Sequence, residues 1–159
     1  MSRRFTKRIA ICGSMSHFSK MRDVYFELQR ENINSILPEE EFEIHAKLDK
    51  EDFEEFKRRV SFQYLRKIRD PQTFAILVIN PQKHNIENYI GPNTFAEVAI
   101  AFAHTKKIYI LYDFPEMYKE ELSAWGAIAL KDDLLTLIKS YNVAKSEIEL
   151  QLSFFPQMD

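Results

Sequence analysis

The chain has 159 residues and a formal net charge of -2, with hydrophobic residues at 45% and charged residues at 29%. These values are typical of one globular domain, residues 1–159, that can bury its own core. The charge gives no long-range attraction for a nucleic acid polymer, and no apolar run reaches the roughly 20 residues of a membrane helix. With one cysteine, Cys12, and no signal-peptide pattern, we expect a cytoplasmic protein without disulfides.

Short apolar runs alternate with amphipathic segments along the chain. The predicted strands are 7–12, 33–38, 73–80 and 107–112. The predicted helices are 17–32, 51–69, a segment opening at Thr94, 115–126 and 132–142. The acidic stretch 39–52 is interpreted as a solvated connection. This alternation predicts an α/β fold: a Rossmann-like or flavodoxin-like three-layer sandwich around a mainly parallel sheet of four to five strands.

Two features outside the regular elements attract attention. The C-terminal tail, 142–159, carries too many apolar groups for a free end, so we expect it to pack on the body or on a neighbouring subunit. The strand-to-helix turns 13–17, 38–43 and 80–94 should gather at the sheet edge where α/β proteins bind ligands. The last of these turns is unusually long, and long turns are often functional.

The first of these turns, "CGSMSHF", offers backbone N–H groups to a phosphate or a sugar hydroxyl. Gly13 permits a tight turn, and Ser14 or Ser16 could equally be an ordinary cap of the next helix. The pattern lacks the spacing of the common phosphate-binding motifs. The four histidines show no metal-ligand spacing either, so no metal site is predicted.

The helix in "NYIGPNTFAEVAIAFAHTKKIYIL" (88–111) has one acidic residue near its start, Glu97. Two interpretations stay open from the residues alone. "TFAE" matches a capping box, with Thr94 as N-cap and Glu97 at the third helical position. The same position suits a nucleophile, because a helix N-terminus favours an ionised carboxylate at the ligand-binding edge.

Glycosidic chemistry commonly needs a second carboxylate to manage the proton of the leaving group. Asp70 stands just before the third strand, and a run of acids occupies 39–43. Both also have ordinary explanations: the run suits a solvated face, and Asp70-Pro71 suits the start of a turn.

Together, "RIAICGSM", "LPEE", "IRD", "FAILVIN" and "YIGPNTFAEVAIAFAHTKKIYILY" resemble the nucleoside 2-deoxyribosyltransferase-like superfamily over residues 7–140. That group includes transferases, 5′-monophosphate N-glycosidases and uncharacterised bacterial members. The resemblance implies that Glu97 attacks C1′ of a deoxyribose, so that the base leaves and a covalent glycosyl ester forms. It also implies a homo-oligomer.

The resemblance further implies a substrate-binding set around a nucleoside or nucleotide, with no metal or organic cofactor. The implied residues are Gly13, Ser14, Met15, Asn80, Gly91, Asn93 and Thr94. Phe18 or Trp125 could stack on the base.

Relatives usually carry an aspartate in the helix before the third strand, and the matching place here falls near Ser61. Asp70 is then the candidate for proton handling. The alternative function is a non-catalytic nucleotide- or metabolite-binding module, in which Glu97 binds ribose hydroxyls or only caps its helix.

Overall fold

A computed structural model describes residues 7–39 and 49–154. Within these residues the strands are β1 (Arg8–Gly13), β2 (Ser35–Ile36), β3 (Thr73–Ile79), β4 (Lys107–Ile110) and β5 (Ile128–Ala129). The helices are α1 (Phe18–Arg30), α2 (Lys50–Arg69), α3 (Pro92–Ala103), α4 (Lys119–Ala124) and α5 (Leu135–Phe154), with 3-10 turns at Met15–His17 and Glu116–Tyr118. The predicted acidic connection 39–52 falls largely outside the described residues.

All pairings in the sheet are parallel, and the strand order is β2-β1-β3-β4-β5. Alternate residues of β1 face opposite sides. Ile9 and Ile11 join a core under α1 and α5, while Ala10 and Cys12 join a core under α2 and α3. The predicted α/β three-layer sandwich is confirmed, with five strands in the described part of the chain.

β1 is the point where the chain switches from one side of the sheet to the other: β2 pairs with one edge of β1, and β3 pairs with the opposite edge. The loops that leave β1 and β3 therefore diverge, and a crevice opens between them at the carboxyl ends of the strands. Gly13 ends β1 in register with Ile79. A Cβ at Gly13 would lie 2.9 Å from the Ile79 carbonyl oxygen, so the residue must be a glycine for the strands to pair this closely.

The predicted capping box at the start of α3 is wrong. The helix begins at Pro92 with Gly91 as N-cap, so Thr94 is the third helical residue and Glu97 the sixth. Proline suits this first position, because its fixed φ matches the helix and it has no N–H to leave unsatisfied. Capping therefore does not explain Glu97.

The described part of the C-terminal tail, 142–154, continues α5 past Tyr141, the last buried residue of that helix. Most of its side chains are exposed, and Val143, Leu150 and Phe154 are 57%, 59% and 72% exposed. Packing of the tail on the body or on a neighbouring subunit, and with it a homo-oligomer, stays a prediction, and 155–159 lie outside the described residues. None of the described helices has the length and apolarity to cross a membrane.

Candidate functional site

A cleft of about 440 Å³ lies at the carboxyl ends of β1 and β3, in the crevice that the strand order creates. It brings together seven of the nine catalytic and substrate-binding candidates from the sequence: Gly13, Ser14, Met15, Gly91, Asn93, Thr94 and Glu97. Asn80 and Asp70 do not line it. The remaining lining residues come from the segment after β2, from α2 and from the loop after β3, together with Ser16 of the 3-10 turn and Pro92 of α3.

The β1–α1 turn forms the first wall. Ser14 stands at the N-cap of the 3-10 turn, but its side chain makes no capping hydrogen bond, so the capping alternative is wrong for this hydroxyl. Its Oγ lies 3.0 Å from Oγ of Ser16 and accepts a 2.7 Å hydrogen bond from Nζ of Lys83. Lys83 belongs to the loop after β3, so this contact joins the two loops that flank the crevice. Two hydroxyls and an ammonium group together suit an anionic oxygen.

Helix α2 forms the second wall with residues one turn apart, among them Lys57, Ser61, Tyr64 and Lys67. Tyr64 is buried and fixes the helix to the sheet, because its hydroxyl donates to the Ile11 carbonyl and lies 3.4 Å from the Ile36 carbonyl. Ser61, the position near which the suggested superfamily would place an aspartate, lines the cleft.

The loop between β3 and α3 forms the third wall, and Asn80 holds it in place. The Asn80 side chain is fully buried. Its Nδ2 donates to the carbonyls of Asn88 at 3.2 Å and Asp113 at 2.8 Å, while its Oδ1 accepts from the Tyr112 N–H at 3.2 Å. The expected contact between Asn80 and a substrate is corrected: this amide is engaged with backbone from two loops.

Within that loop, Lys83 and Ile86 exchange backbone hydrogen bonds of 3.1 and 2.9 Å across a tight turn. His84 and Asn85 occupy its centre with φ of 53° and 57°, as a type I′ turn requires. The turn directs Lys83 toward Ser14, and the Lys83 ammonium also lies 5.5 Å from the centre of the Tyr89 ring. The loop is a folded element that presents a cation and an aromatic ring to the cleft.

Glu97 reaches the cleft from the second turn of α3 and lies beside two buried groups of the neighbouring elements. One of them is Cys12, whose thiol donates to the Ala10 carbonyl at 3.8 Å. Burial raises the pKa of the Cys12 thiol well above its usual value, and the charge of Glu97 adds to the effect. Burial likewise raises the pKa of Tyr64, with smaller contributions from Cys12 and Glu97. Both neighbours therefore remain protonated at neutral pH.

Asp70 lies at the opposite edge of the sheet, where the strands begin. Its Oδ1 accepts a 2.7 Å hydrogen bond from the Gln72 N–H and its carbonyl a 2.9 Å bond from the Thr73 N–H. The seven residues of β3 separate this turn from the cleft, a length of roughly 20 Å. Asp70 is thus corrected from a catalytic candidate to the turn initiator that its sequence also suggested.

The cleft contains a second carboxylate from a different element. Glu39 follows β2 and lines the cleft with Glu97, whereas the remaining acids of the 39–43 run lie outside the described residues. Three lysines, Lys57, Lys67 and Lys83, line the same space. Among the lining residues that the structure describes, cations therefore outnumber carboxylates, which suits an anionic ligand. Among the residues that the structure describes, no group of His, Cys, Asp and Glu is arranged to hold a metal ion.

The aromatic residues that line the cleft in the described part of the chain are Tyr64 and Tyr89, and neither was proposed from the sequence to stack on a base. Phe18 packs against the core under α1, and Trp125 stacks on Phe95 and Phe102 at ring distances of 5.5 and 4.9 Å. Sequence reasoning also missed Lys57, Lys67 and Lys83. The unusual length of the 80–94 turn was the one available signal, and it pointed to Lys83 and Tyr89.

Comparison of the chain with protein-family models, with curated proteins and with solved structures gives no match. The α/β fold and the cleft therefore rest on the structure, and the superfamily suggested by the sequence motifs remains a prediction.

The pKa of His17, which follows the cleft residue Ser16, predicts how the stability of the folded protein depends on pH. Burial lowers the pKa of its imidazole below 6.5, and the charge of Lys83 lowers it further. The unfolded chain then binds the proton more readily. The contribution of His17 to the free energy of unfolding should be constant above about pH 6.5 and should decrease as the pH drops below that value. Chemical denaturation between pH 7.5 and pH 5 should show that His17→Gln loses less free energy of unfolding than the natural sequence does.

The matched control is His104→Gln, which changes an exposed histidine outside the cleft. It should retain the pH dependence of the natural sequence. Equal slopes for all three proteins would contradict the assignment to His17.

Proposed function

We propose that this protein cleaves or exchanges the N-glycosidic bond of a 2′-deoxynucleoside or its 5′-monophosphate, with Glu97 as nucleophile. The observation that carries the proposal is the position of Glu97 in an open cleft at the carboxyl edge of the sheet, in the second turn of α3. A capping role would have accounted for the glutamate without chemistry, and α3 begins too early for it. The resemblance of the surrounding motifs supports the same residue.

In the proposed reaction, one carboxylate oxygen of Glu97 forms a bond to C1′ as the bond from C1′ to the base nitrogen breaks. The base leaves with the electron pair and takes up a proton. Water then resolves the glycosyl ester in a hydrolase, or a second base does so in a transferase. Glu97 stands on a regular helix beside the buried Cys12 and the anchored Tyr64, which favours a fixed position of the carboxylate, and fixed placement is a large part of catalytic efficiency.

We assign the 5′ group of the substrate to the wall formed by Ser14, Ser16 and Lys83. These side chains are already joined by hydrogen bonds, so they are organised before a ligand arrives. An ammonium group and two hydroxyls stabilise a phosphate better than a neutral hydroxyl. We therefore favour the 5′-monophosphate over the free nucleoside.

We assign proton handling to Glu39 in place of Asp70. Glu39 is the other carboxylate that lines the cleft among the described residues, and it enters from β2, across the crevice from α3. A pair of acids on different elements can place one at the sugar and the other at the base.

A second candidate function, a nucleotide-binding module without turnover, is favoured by one observation. Helix α2 presents Ser61 to the cleft where the relatives carry an aspartate. In that case the Ser14, Ser16 and Lys83 wall still binds the phosphate, and Glu97 accepts hydrogen bonds from the sugar.

Glu97→Gln should lower kcat/KM on a panel of deoxynucleoside 5′-monophosphates by about a thousandfold or more, because an amide cannot form the glycosyl ester. The shape of the side chain is kept, so the melting temperature should change little. Glu120→Gln, an exposed acid on α4, is the matched control and should retain full activity. Unchanged turnover in Glu97→Gln would exclude this nucleophile. A natural protein that cleaves nothing but is stabilised by nucleotides would indicate the binding module.

Glu39→Gln should lower the rate of base release on the order of a hundredfold, as expected when a general acid is removed. Asp70→Asn keeps a side-chain oxygen for the turn and should leave kcat unchanged. Single-turnover measurement of base release separates this step from ester hydrolysis. A defect in Asp70→Asn with normal Glu39→Gln would reverse the assignment.

Lys83→Met should reduce kcat/KM for the 5′-monophosphate by about ten- to a hundredfold, the usual effect of losing a charged hydrogen bond. The unphosphorylated nucleoside should be affected by less than about threefold, because it has no charge at that position. Lys139→Met, exposed on α5, controls for the loss of one positive charge. Equal losses for both substrates would show that Lys83 supports the loop and does not bind the phosphate.

A further inference from the structure

A second concave surface lies at the edge of the sheet where the strands begin, away from Glu97. It has a volume of about 420 Å³ and forms where α2 and α3 end. We call it the basic hollow, and its lining residues are Arg66, Lys67, Arg69, Asp70, Pro71 and His104. The proposed glycosidic reaction uses none of this surface except Lys67, which also lines the cleft.

Three further cations surround the basic hollow and have a structural explanation. Lys7 Nζ donates to the Pro71 carbonyl at 2.6 Å, Arg8 Nη2 to the Lys67 carbonyl at 3.3 Å and Lys106 Nζ to the Asp70 carbonyl at 2.7 Å. Carbonyls at the end of a helix lack partners within the helix. These three cations satisfy carbonyls at and just beyond the end of α2.

The role of satisfying these carbonyls does not account for three other cations of the basic hollow, Arg66, Lys67 and Arg69. Each is exposed on the last turn of α2, and within the described residues neither they nor the other three cations form an ion pair. The end of each helix is equivalent to roughly half a negative charge. Within the described residues, two helix ends and the carboxylate of Asp70 therefore leave most of the positive charge of six cations without compensation.

Lys106 lies among these positive charges. Burial lowers the pKa of its ammonium group, and the charges of Lys7 and Arg8 lower it further, against the opposite effect of Asp70. A bound anion would remove this repulsion.

We propose that the basic hollow binds a small anion carrying several phosphate groups, such as a nucleoside triphosphate or inorganic polyphosphate. Guanidinium groups match phosphate oxygens in pairs, and Arg66 and Arg69 supply two of them at the rim. The volume is that of a small-molecule site. The net charge of -2 gives no general attraction for a nucleic acid strand, which favours a compact ligand over a long one. This inference goes beyond the proposed function and does not depend on it.

The test is isothermal titration of the full-length protein with inorganic tripolyphosphate at low salt. Removal of two charged contacts in the double variant Arg66→Ala/Arg69→Ala should weaken binding by about tenfold or more. Both side chains are exposed, so folding should be retained, and circular dichroism checks it. The single variants provide the same comparison if the double variant unfolds. Lys67 is left intact because it also lines the cleft.

Two controls make the result specific. Arg22→Ala/Arg30→Ala removes the same charge from exposed positions of α1 and should change binding by less than about twofold. Lys139→Met, an exposed lysine of α5 outside both the cleft and the basic hollow, should do the same. Absence of tripolyphosphate binding, or equal weakening in the α1 control, would overturn the proposal. Binding of a single-stranded oligonucleotide through Arg66 and Arg69 without tripolyphosphate binding would overturn it in favour of a nucleic acid surface.

Discussion

The shape of the cleft depends on the buried amide of Asn80. It stands where β3 ends and connects the backbone of two loops, through Asn88 on one side and Tyr112 and Asp113 on the other. A buried amide with its donors and acceptor engaged is stable, whereas the same carbonyls left unpaired would each cost free energy. The start of the loop that carries Lys83 and Tyr89 is therefore held in a fixed position.

The direction of two helices organises the electrostatics at both edges of the sheet. α3 presents its first residues to the cleft, α2 lines the cleft from its middle onward, and both helices end at the basic hollow. The positive dipole end of α3 thus faces the cleft, where a carboxylate or phosphate is favoured, and the negative ends of both helices face the cations. One arrangement of parallel strands with returning helices provides both surfaces.

Sequence patterns were sufficient for the fold and for much of the cleft. β1, β3 and β4 are apolar runs, and the alternation with amphipathic helices predicts a parallel sheet whose turns meet at one edge. Ser14 and Glu97 were found because they follow such turns. β5 has only two residues, and that is too short for a periodic pattern.

The errors have a common physical origin. Periodicity identifies the buried face of α2, but it does not show which rim residues face a cavity, so Lys57 and Lys67 were missed. The start of α3 was misplaced because Thr94 resembles a cap, while Pro92 and Gly91 determined the actual boundary. Residue type alone suggests a functional role for Asn80 and Asp70, whereas their hydrogen bonds show that Asn80 stabilises a loop and Asp70 a turn.

Cys12 gives this protein a natural reporter of local opening. It is the only cysteine of the chain, its side chain is fully buried, and it lies directly beside Glu97. A thiol that is both inaccessible and protonated reacts slowly with alkylating reagents. The alkylation rate of the unmodified protein therefore measures how often the end of β1 separates from α3, and a ligand that closes the cleft would register as slower labelling.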